Sequence, residues 1–200
     1  MTPTENLPED HLKDSLKGSP SSQFAFGLSS KYFWLLVISV GIVVIDQISK
    51  MYIHHNYELG ESTPVIPGFF NITYVRNLGA AFGFLGQSNP TFRTFFFLAM
   101  PPVAMLIIFV ILKGVADKDR WQVISLSSVF GGAIGNYIDR VRFRYVIDFL
   151  DFHFQEKYTW PAFNVADSAI VMGMVVLMIL VLREPSQESP LESKVHASGN

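Results

Sequence analysis

Four apolar segments limit how this chain folds, because each is long enough to cross a lipid bilayer. They cover residues 32–53, 94–112, 123–138 with its flanks, and 164–182. A helix needs about 20 apolar residues to cross a hydrocarbon core of about 30 Å. Half of the 200 residues are hydrophobic and only 16% are charged, unlike a soluble domain with a polar surface. The sequence predicts an all-α membrane protein with four transmembrane helices.

The fourth segment, "NVADSAIVMGMVVLMILVL", begins with polar residues. Asn164 and Asp167 fit a helix cap, because an Asn accepts hydrogen bonds from the first turn and a carboxylate favours the positive end of the helix dipole. The uninterrupted apolar part, 169–182, spans only about 21 Å at ~1.5 Å per residue. Asp167 is therefore expected at or just inside the bilayer boundary, where a carboxylate is costly and usually has a function.

The regions outside the spans differ in composition. Residues 1–31 and 183–200 are polar and are expected to be flexible tails around one four-span domain, 32–182. The net charge of -2 gives no sign of nucleic-acid binding. The chain has no cysteine, which excludes disulfides, thiolate metal sites and a cysteine nucleophile.

The alternation of four spans places the polar residues of the spans on one side of the membrane. The ends of spans one and three and the starts of spans two and four must share a side, and both long loops, roughly 54–93 and 139–163, emerge there. Polar residues occur at three of these four ends: Asp46 and Lys50 in "DQISK", Asn136, Asp139 and Arg140 in "GNYIDR", and Asn164 and Asp167 in "FNVAD". Any chemistry is expected at this single face.

Several of these residues also have a purely structural interpretation. Asp46 and Lys50 are spaced i, i+4, which favours an intrahelical ion pair. Asp139 is expected to pair with Arg140 or Arg142 if it has no other task. The adjacent His54 and His55 point in different directions on a helix and no HExxH motif follows, so no metal site is expected.

Packing signals occur within the second and third spans. Gly131 and Gly135 have GxxxG spacing, with Ser128 and Gly132 on a neighbouring row, which predicts close helix packing. The pair Pro101-Pro102 is expected to kink the second span or break it locally.

The loop after the first span contains a strand pattern. In "FFNITYVRNLGAAFGFL", Phe70, Ile72 and Tyr74 alternate with polar or smaller residues, which predicts a small sheet at the membrane surface. Asn77 and Gly79 follow at a turn. They are ordinary turn residues, and their position on the polar side also makes them candidates to hold an extended peptide.

A further carboxylate lies in the loop after span three. The stretch "RYVIDFLDFHF" places Asp148 and Asp151 among apolar residues. Two carboxylates that meet in a low dielectric tend to share a proton, so that one acts as base and the other as acid. Such a pair can activate water against an amide. The sequence leaves the partner of Asp167 open among Asp148, Asp151 and Asp139.

The motifs, taken together, resemble a known family. "DQISK", "NLGAAFGFL", "GNYIDR", "YVIDFLDF" and "PAFNVADSAI" occur in the order found in bacterial lipoprotein signal peptidase, also called signal peptidase II. The resemblance covers roughly 32–182 and neither tail. It implies a four-span aspartic peptidase domain that cleaves the signal peptide of a prolipoprotein just before a diacylglyceryl-modified cysteine, which belongs to the substrate.

The resemblance also implies roles for individual residues. It assigns Asp148 and Asp167 as the catalytic pair. The positions that match the family's supporting polar residues are Asp46, Lys50, Asn77, Gly79, Asn136, Asp139, Arg140 and Asn164. No cofactor is expected. The partners expected are lipid-modified prolipoproteins and membrane lipids but not nucleic acid, and the protein is expected to be a monomer.

The orientation in the bacterial inner membrane follows from the resemblance more than from charge. The tail side carries eight Lys and Arg residues and the other side seven, so the positive-inside rule barely decides. We expect both termini in the cytoplasm and the active site near the outer, periplasmic face.

A proton-coupled transporter is the main alternative, but it usually needs charges near the midplane and polar routes to both sides. A structural membrane scaffold would not explain several carboxylates and two asparagines at one face.

Overall fold

The computed structural model describes residues 30–79, 88–154 and 158–183. These residues form four long helices, joined by short strands. Most of both predicted tails and the stretch 80–87 of the predicted turn region lie outside the described residues. The elements in chain order are α1 (Ser30–Asn56), β1 (Ser62–Ile66), β2 (Phe70–Asn77), α2 (Pro90–Gly114), α3 (Arg120–Phe143), β3 (Val146–Phe154), β4 (Tyr158–Thr159) and α4 (Val165–Arg183).

Three of the helices, α1, α2 and α4, are long and apolar enough to cross a membrane. The helix α3 is long enough, with 24 residues, but it is markedly less hydrophobic than the other three. It packs against all three of the other helices, and its buried positions include serines, glycines, Asn136 and Asp139. The polar character of α3 is therefore directed at protein neighbours.

Glycines bring the other helices close to α3, as the GxxxG spacing predicts. A Cβ atom at Gly131 would lie 2.8 Å from the Ser39 backbone of α1. A Cβ at Gly132 would meet the Ala166 carbonyl of α4, and one at Gly173 would lie 2.7 Å from the Ser125 carbonyl of α3. The row of small residues is thus the surface on which α1 and α4 approach α3.

The proline pair does not interrupt the second span. The helix α2 continues from Pro90 to Gly114 with Pro101 and Pro102 inside it, so the local break that the sequence suggested does not occur. Asn89 caps the start of the helix, where its Oδ1 accepts a hydrogen bond of 2.9 Å from the Thr91 N–H.

The predicted small sheet is confirmed, and it has more strands than the loop after α1 supplies. The four strands pair antiparallel in the order β1-β2-β3-β4, so β3, which follows α3, pairs with β2 of the earlier loop. Ile53, Tyr74, Ile147 and Phe149 form a buried cluster between the sheet and the end of α1. The sheet is thereby fixed to the end of the helix bundle.

A bulge in β2 changes which side chains face β3. Ile72 pairs with Leu150 and Val75 with Asp148, so β2 advances three residues where β3 advances two. The extra residue reverses the alternation of faces after Ile72. Asn77 therefore shares a face with Asp148, whereas an unbroken alternation would have put Asn77 on the opposite face.

We predict that Gly135→Leu disrupts folding of the helix bundle. A Cβ at Gly135 would lie 2.6 Å from Asp46 Oδ2 and 3.2 Å from Ala166 Cβ, so a larger side chain displaces a buried carboxylate and separates three helices. Overpacking of this kind costs about 1–3 kcal/mol or more. The measurement is the thermal unfolding of purified variants in detergent micelles.

Gly41→Leu is the matched control for this variant. Gly41 lies on an exposed face of α1, and a Cβ there meets no atom within 4 Å. The same substitution should leave the unfolding temperature unchanged or slightly raised, since Leu is the better helix former. Equal stability of the Gly135 and Gly41 variants would remove the packing interpretation.

Candidate active site

Asp148 is a buried carboxylate on β3, with 1% of its surface exposed. Its Oδ2 accepts a hydrogen bond of 3.0 Å from Asn77 Nδ2, and its Oδ1 accepts one of 2.7 Å from Asn164 Nδ2. Burial and, next, the nearby charge of Asp167 raise the pKa of Asp148 to about 7, although the two amide donors and Lys50 oppose the shift. Asp148 is thus able to carry a proton near neutral pH.

Asp167 lies in the first turn of α4 and closes a reciprocal cap with Asn164. The Asp167 N–H donates to Asn164 Oδ1 at 2.9 Å, and the Asn164 N–H donates to Asp167 Oδ2 at 3.3 Å. This capping-box geometry confirms the helix-cap interpretation. Asp167 Oδ1 accepts a further hydrogen bond of 2.7 Å from Asn136 Nδ2 of α3. One oxygen therefore serves the cap and the other faces the polar interior.

Asn164 joins the two carboxylates into one site. Its side-chain amide binds Asp148 and its backbone N–H binds Asp167. The preceding residue, Phe163, pairs with β3 through hydrogen bonds of 2.8 and 3.1 Å with the Leu150 backbone. This short backbone pairing places the start of α4 beside Asp148. The residues alone left the partner of Asp167 open among three carboxylates, and in the fold Asn164 bonds to both Asp148 and Asp167.

The turn residues Asn77 and Gly79 lie at the edge of the same site. Asn77 Oδ1 accepts a hydrogen bond of 2.9 Å from the Gly79 N–H, which is the turn interaction that the sequence suggested. Arg140 Nη2 donates to the Gly79 carbonyl at 3.3 Å. Asn77 Nδ2 also donates to Asp148, so the same side chain stabilises the turn and contacts the buried carboxylate.

Lys50 has no exposed side-chain surface and belongs to the hydrogen-bond network that contacts Asp167. Its Nζ is 2.9 Å from Asp46 Oδ2, as the i, i+4 spacing predicts, and 3.2 Å from Asp139 Oδ2. Lys50 Nζ also donates to Asn136 Oδ1 at 2.9 Å. The ammonium is thus connected through Asn136 to Asp167.

The expectation that Asp139 pairs with Arg140 or Arg142 is wrong. Asp139 is directed toward Lys50 on α1, whereas Arg140, one helical step away, is directed toward Gly79. The pairing crosses between helices because adjacent residues on a helix face different neighbours. Arg142 is exposed and lies near Met51, with Nη1 3.8 Å from the Met51 sulfur.

The two other candidates for the partner of Asp167, Asp139 and Asp151, form their hydrogen bonds and ion pairs with other residues. Asp139 Oδ2 accepts from the Ile147 N–H at 3.0 Å in addition to its ion pair. Asp151 is three residues beyond Asp148 on the same strand and so faces the other side of the sheet, where its Oδ2 accepts from Thr73 at 2.9 Å. Asp148 is the carboxylate that shares Asn164 with Asp167.

Gln47 is a polar contributor that the sequence reasoning missed. Its Nε2 lies 3.2 Å from Asp46 Oδ2, 2.9 Å from Asp139 Oδ1 and 3.2 Å from the Gly135 carbonyl. Its amide therefore bridges α1 and α3 beside the Lys50 cluster. The signal that could have found it is its position inside "DQISK", a polar residue in a span next to Asp46.

The adjacent histidines have hydrogen-bond partners outside the site. His54 Nδ1 lies 2.7 Å from the Tyr74 hydroxyl, and His55 Nδ1 lies 2.7 Å from the Met51 carbonyl. Within residues 30–79, 88–154 and 158–183, no three His, Asp or Glu side chains are grouped as metal ligands.

Comparison with known proteins identifies the family. A family model described as signal peptidase (SPase) II matches residues 38–183. The chain is 46% identical over 153 residues to a lipoprotein signal peptidase of Geobacter metallireducens, covering 76% of this chain and 93% of that protein. It is 45% identical over 157 residues to the lipoprotein signal peptidase of Syntrophus aciditrophicus, covering 78% and 96% of the two chains.

A solved structure shares the fold. It is described as a bacterial membrane enzyme and matches with a TM-score of 0.68 at 30% identity, covering 76% of this chain and 94% of that chain. The residues that the family model matches include most of α1, the other three helices and the polar site. The chain belongs to the signal peptidase II family.

Proposed function

We propose that this protein is an aspartic endopeptidase that removes the signal peptide from diacylglyceryl-modified prolipoproteins, with Asp148 and Asp167 as its catalytic pair. The observation that carries the proposal is the pairing of two carboxylates through Asn164, with the pKa of Asp148 raised to about 7 by burial and by Asp167. The curated relatives are named lipoprotein signal peptidases, which supports the substrate class. The family does not support the alternative of a proton-coupled transporter.

In the proposed mechanism, the pair shares one proton before the substrate is attacked. Asp167 accepts a proton from water as the water oxygen bonds to the scissile carbonyl carbon. Asp148, the more buried partner, holds the shared proton and donates it as the C–N bond breaks, so that the leaving nitrogen departs as an amine. Acid–base assistance contributes about 10²- to 10⁴-fold, so positioning and electrostatic stabilisation supply the rest.

The supporting residues have distinct tasks in this proposal. Asn136 and Asn164 hold Asp167 through donors at 2.7 and 3.3 Å, and Asn77 and Asn164 hold Asp148. Asp46, Lys50 and Asp139 form a buried cluster of ion pairs. Lys50 of this cluster donates to Asn136 and fixes its position. We assign Gly79 and Arg140, at the edge of the site, to the extended peptide around the scissile bond. These tasks need neither a metal nor another cofactor.

We further propose that all four helices span the inner membrane of a bacterium. Because α3 packs against α1, α2 and α4, protein neighbours cover its polar residues, which supports a span of lower hydropathy. In this arrangement the sheet and the site lie at the outer face and both termini are cytoplasmic. Acyl chains and the signal helix of the substrate would lie against the exposed apolar faces of the helices, and one monomer is sufficient for the site.

Asp148→Asn and Asp167→Asn are each expected to abolish cleavage and leave the protein folded in the membrane. Asn keeps the shape of Asp but cannot exchange the proton, so either change disables the pair. The double variant should be hardly worse than either single variant, because the two residues act as a unit. The measurement is cleavage of a diacylglyceryl-modified precursor by purified protein in detergent.

Asp151→Asn is the control for the choice of carboxylate. It lies on the same strand but bonds to Thr73 on the other face of the sheet, so cleavage should stay near the wild-type rate. If Asp148→Asn stayed active while Asp151→Asn did not, the assignment would be wrong. If all three variants stayed active, the aspartic mechanism itself would fail.

The pH dependence of cleavage should reflect the pKa of Asp148. Because that pKa is about 7, the shared proton is lost as pH rises through 7, and kcat/KM should fall on the alkaline side with an apparent pKa near that value. A kcat/KM that remained constant from pH 6 to 9 would contradict the role of Asp148 as acid.

The same pKa predicts a pH dependence of stability. A carboxyl group whose pKa is higher folded than unfolded contributes stability below its unfolded pKa of about 4, and this stability is lost as pH rises through about 7. The unfolding temperature of the wild type should therefore fall relative to that of Asp148→Asn between these two pH values.

Membrane topology provides an independent test of the arrangement. Tags on both tails should be accessible only from the cytoplasm, and a reporter in the 54–93 loop should be accessible from outside the inner membrane. A cytoplasmic signal from that loop would overturn the proposed orientation.

A further inference from the structure

A cationic surface lies where the sheet meets the ends of α1 and α3, and the proposed chemistry does not use it. We call it the Arg76–Arg142 patch. His54 packs against the rings of His55, Tyr74 and Phe143, and the guanidinium groups of Arg76 and Arg142 lie against the Tyr74 and Phe143 rings. The members of the patch are His54, His55, Arg76, Arg142 and the rings of Tyr74, Phe143 and Tyr145.

Arg76 is exposed, yet its guanidinium is held in one position. Its Nε donates to the Tyr74 hydroxyl at 3.0 Å, and its Cζ lies 5.4 Å from the Tyr74 ring centroid and 4.9 Å from that of Tyr145. The Tyr74 hydroxyl is in turn 2.7 Å from His54 Nδ1. A preorganised guanidinium loses less entropy when it binds an anion.

Arg142 provides a second cation on the same surface. Its Cζ lies 4.9 Å from the Phe143 ring centroid, and that ring stacks on Tyr145 at 5.6 Å, so the two arginines flank one continuous group of rings. In the described part of the chain, neither Arg76 nor Arg142 forms an ion pair with a carboxylate. The nearby Asp139 is paired with the buried Lys50, so the two guanidinium groups of the patch are left without a carboxylate partner among the described residues.

An apolar stripe on α1 leads directly to this patch. Ile45, Ile48 and Tyr52 are 61%, 66% and 62% exposed, and their spacing places them on one face of the helix. His55, three residues after Tyr52, continues the same face. A tyrosine at the end of an apolar, lipid-facing stripe is typical of the membrane–water interface. In the proposed membrane arrangement, the cations of the patch therefore lie at the depth of lipid headgroups.

We propose that the Arg76–Arg142 patch binds the phosphate headgroup of an anionic phospholipid whose acyl chains lie along Ile45, Ile48 and Tyr52. The planar guanidinium fork matches phosphate, and the adjacent apolar stripe selects a lipid over a soluble phosphate. This goes beyond peptide cleavage, since the patch lies outside the Asp148–Asp167 pair. It also gives a reason for the arginines on this face, which the positive-inside rule disfavours.

The test measures binding of phosphatidylglycerol to the purified full chain in detergent, by native mass spectrometry, against phosphatidylcholine. The wild type should bind phosphatidylglycerol preferentially. Each interfacial arginine contributes about 1 kcal/mol, so Arg76→Gln and Arg142→Gln should each lower the affinity about fivefold and the double variant about 25-fold. Binding of phosphatidylcholine should not change.

Arg120→Gln is the matched control, because Arg120 is an exposed arginine at the opposite end of α3. It should change the affinity less than twofold, and a loss equal to that of Arg76→Gln would show diffuse charge attraction and overturn the proposal.

Glycerol 3-phosphate should not raise the unfolding temperature as phosphatidylglycerol does; equal effects would show a soluble-phosphate site instead. If Arg76→Gln unfolds, the exposed Arg142→Gln decides the outcome alone.

Discussion

The buried ammonium of Lys50 is the charge on which the rest of the site depends. It has no exposed surface, and an unpaired cation in such a place costs several kcal/mol. Asp46 at 2.9 Å and Asp139 at 3.2 Å neutralise it from two different helices. Asp46 accepts the Ala166 N–H of α4 at its other oxygen, Oδ1, and Asp139 accepts the Ile147 N–H of β3 at the same Oδ2 that faces Lys50. One ammonium therefore connects α1, α3, β3 and α4 next to Asp148 and Asp167.

The same charge decides which way the Asn136 amide points. Asn136 Oδ1 accepts from Lys50 at 2.9 Å and from Asn164 at 3.2 Å, so the oxygen end is occupied by donors. The other end of the amide can only donate, and it faces Asp167 at 2.7 Å. Because Lys50 occupies the oxygen of the Asn136 amide, this amide presents a hydrogen-bond donor, and not a second acceptor, to Asp167. The structural ion pairs around Lys50 thereby determine the hydrogen bonding of Asp167, on which the proposed mechanism depends.

The sequence could predict the parts of this arrangement that depend on length, composition and helical spacing. Long apolar segments predict the helices, the i, i+4 spacing predicts the Asp46–Lys50 pair, and Asn164 predicts the cap. It could not identify the partner of Asp139, because that ion pair joins two helices with no fixed sequence relation. Nor could it identify the strand β3, whose apolar residues around Asp148 fit a buried helix as well as a strand.

The bulge in β2 is the clearest case of information that only the fold supplies. Alternation from Phe70 places Asn77 on the face opposite Phe70, yet the extra residue between Ile72 and Val75 returns it to that face, beside Asp148. Bulges are set by pairing with the neighbouring strand, so the local pattern gives no sign of them.

Because Asp148 belongs to the sheet and Asp167 to α4, no single element fixes their separation. The backbone pairing of Phe163 with Leu150 and the side-chain amide of Asn164 link the sheet directly to the start of α4. A pair built on two elements is sensitive to small shifts between them, and positioning errors of about 1 Å cost about 10²-fold in rate. In the proposed mechanism, the glycine-lined contacts of α3 therefore serve the chemistry as well as the packing, because they fix the position of α4.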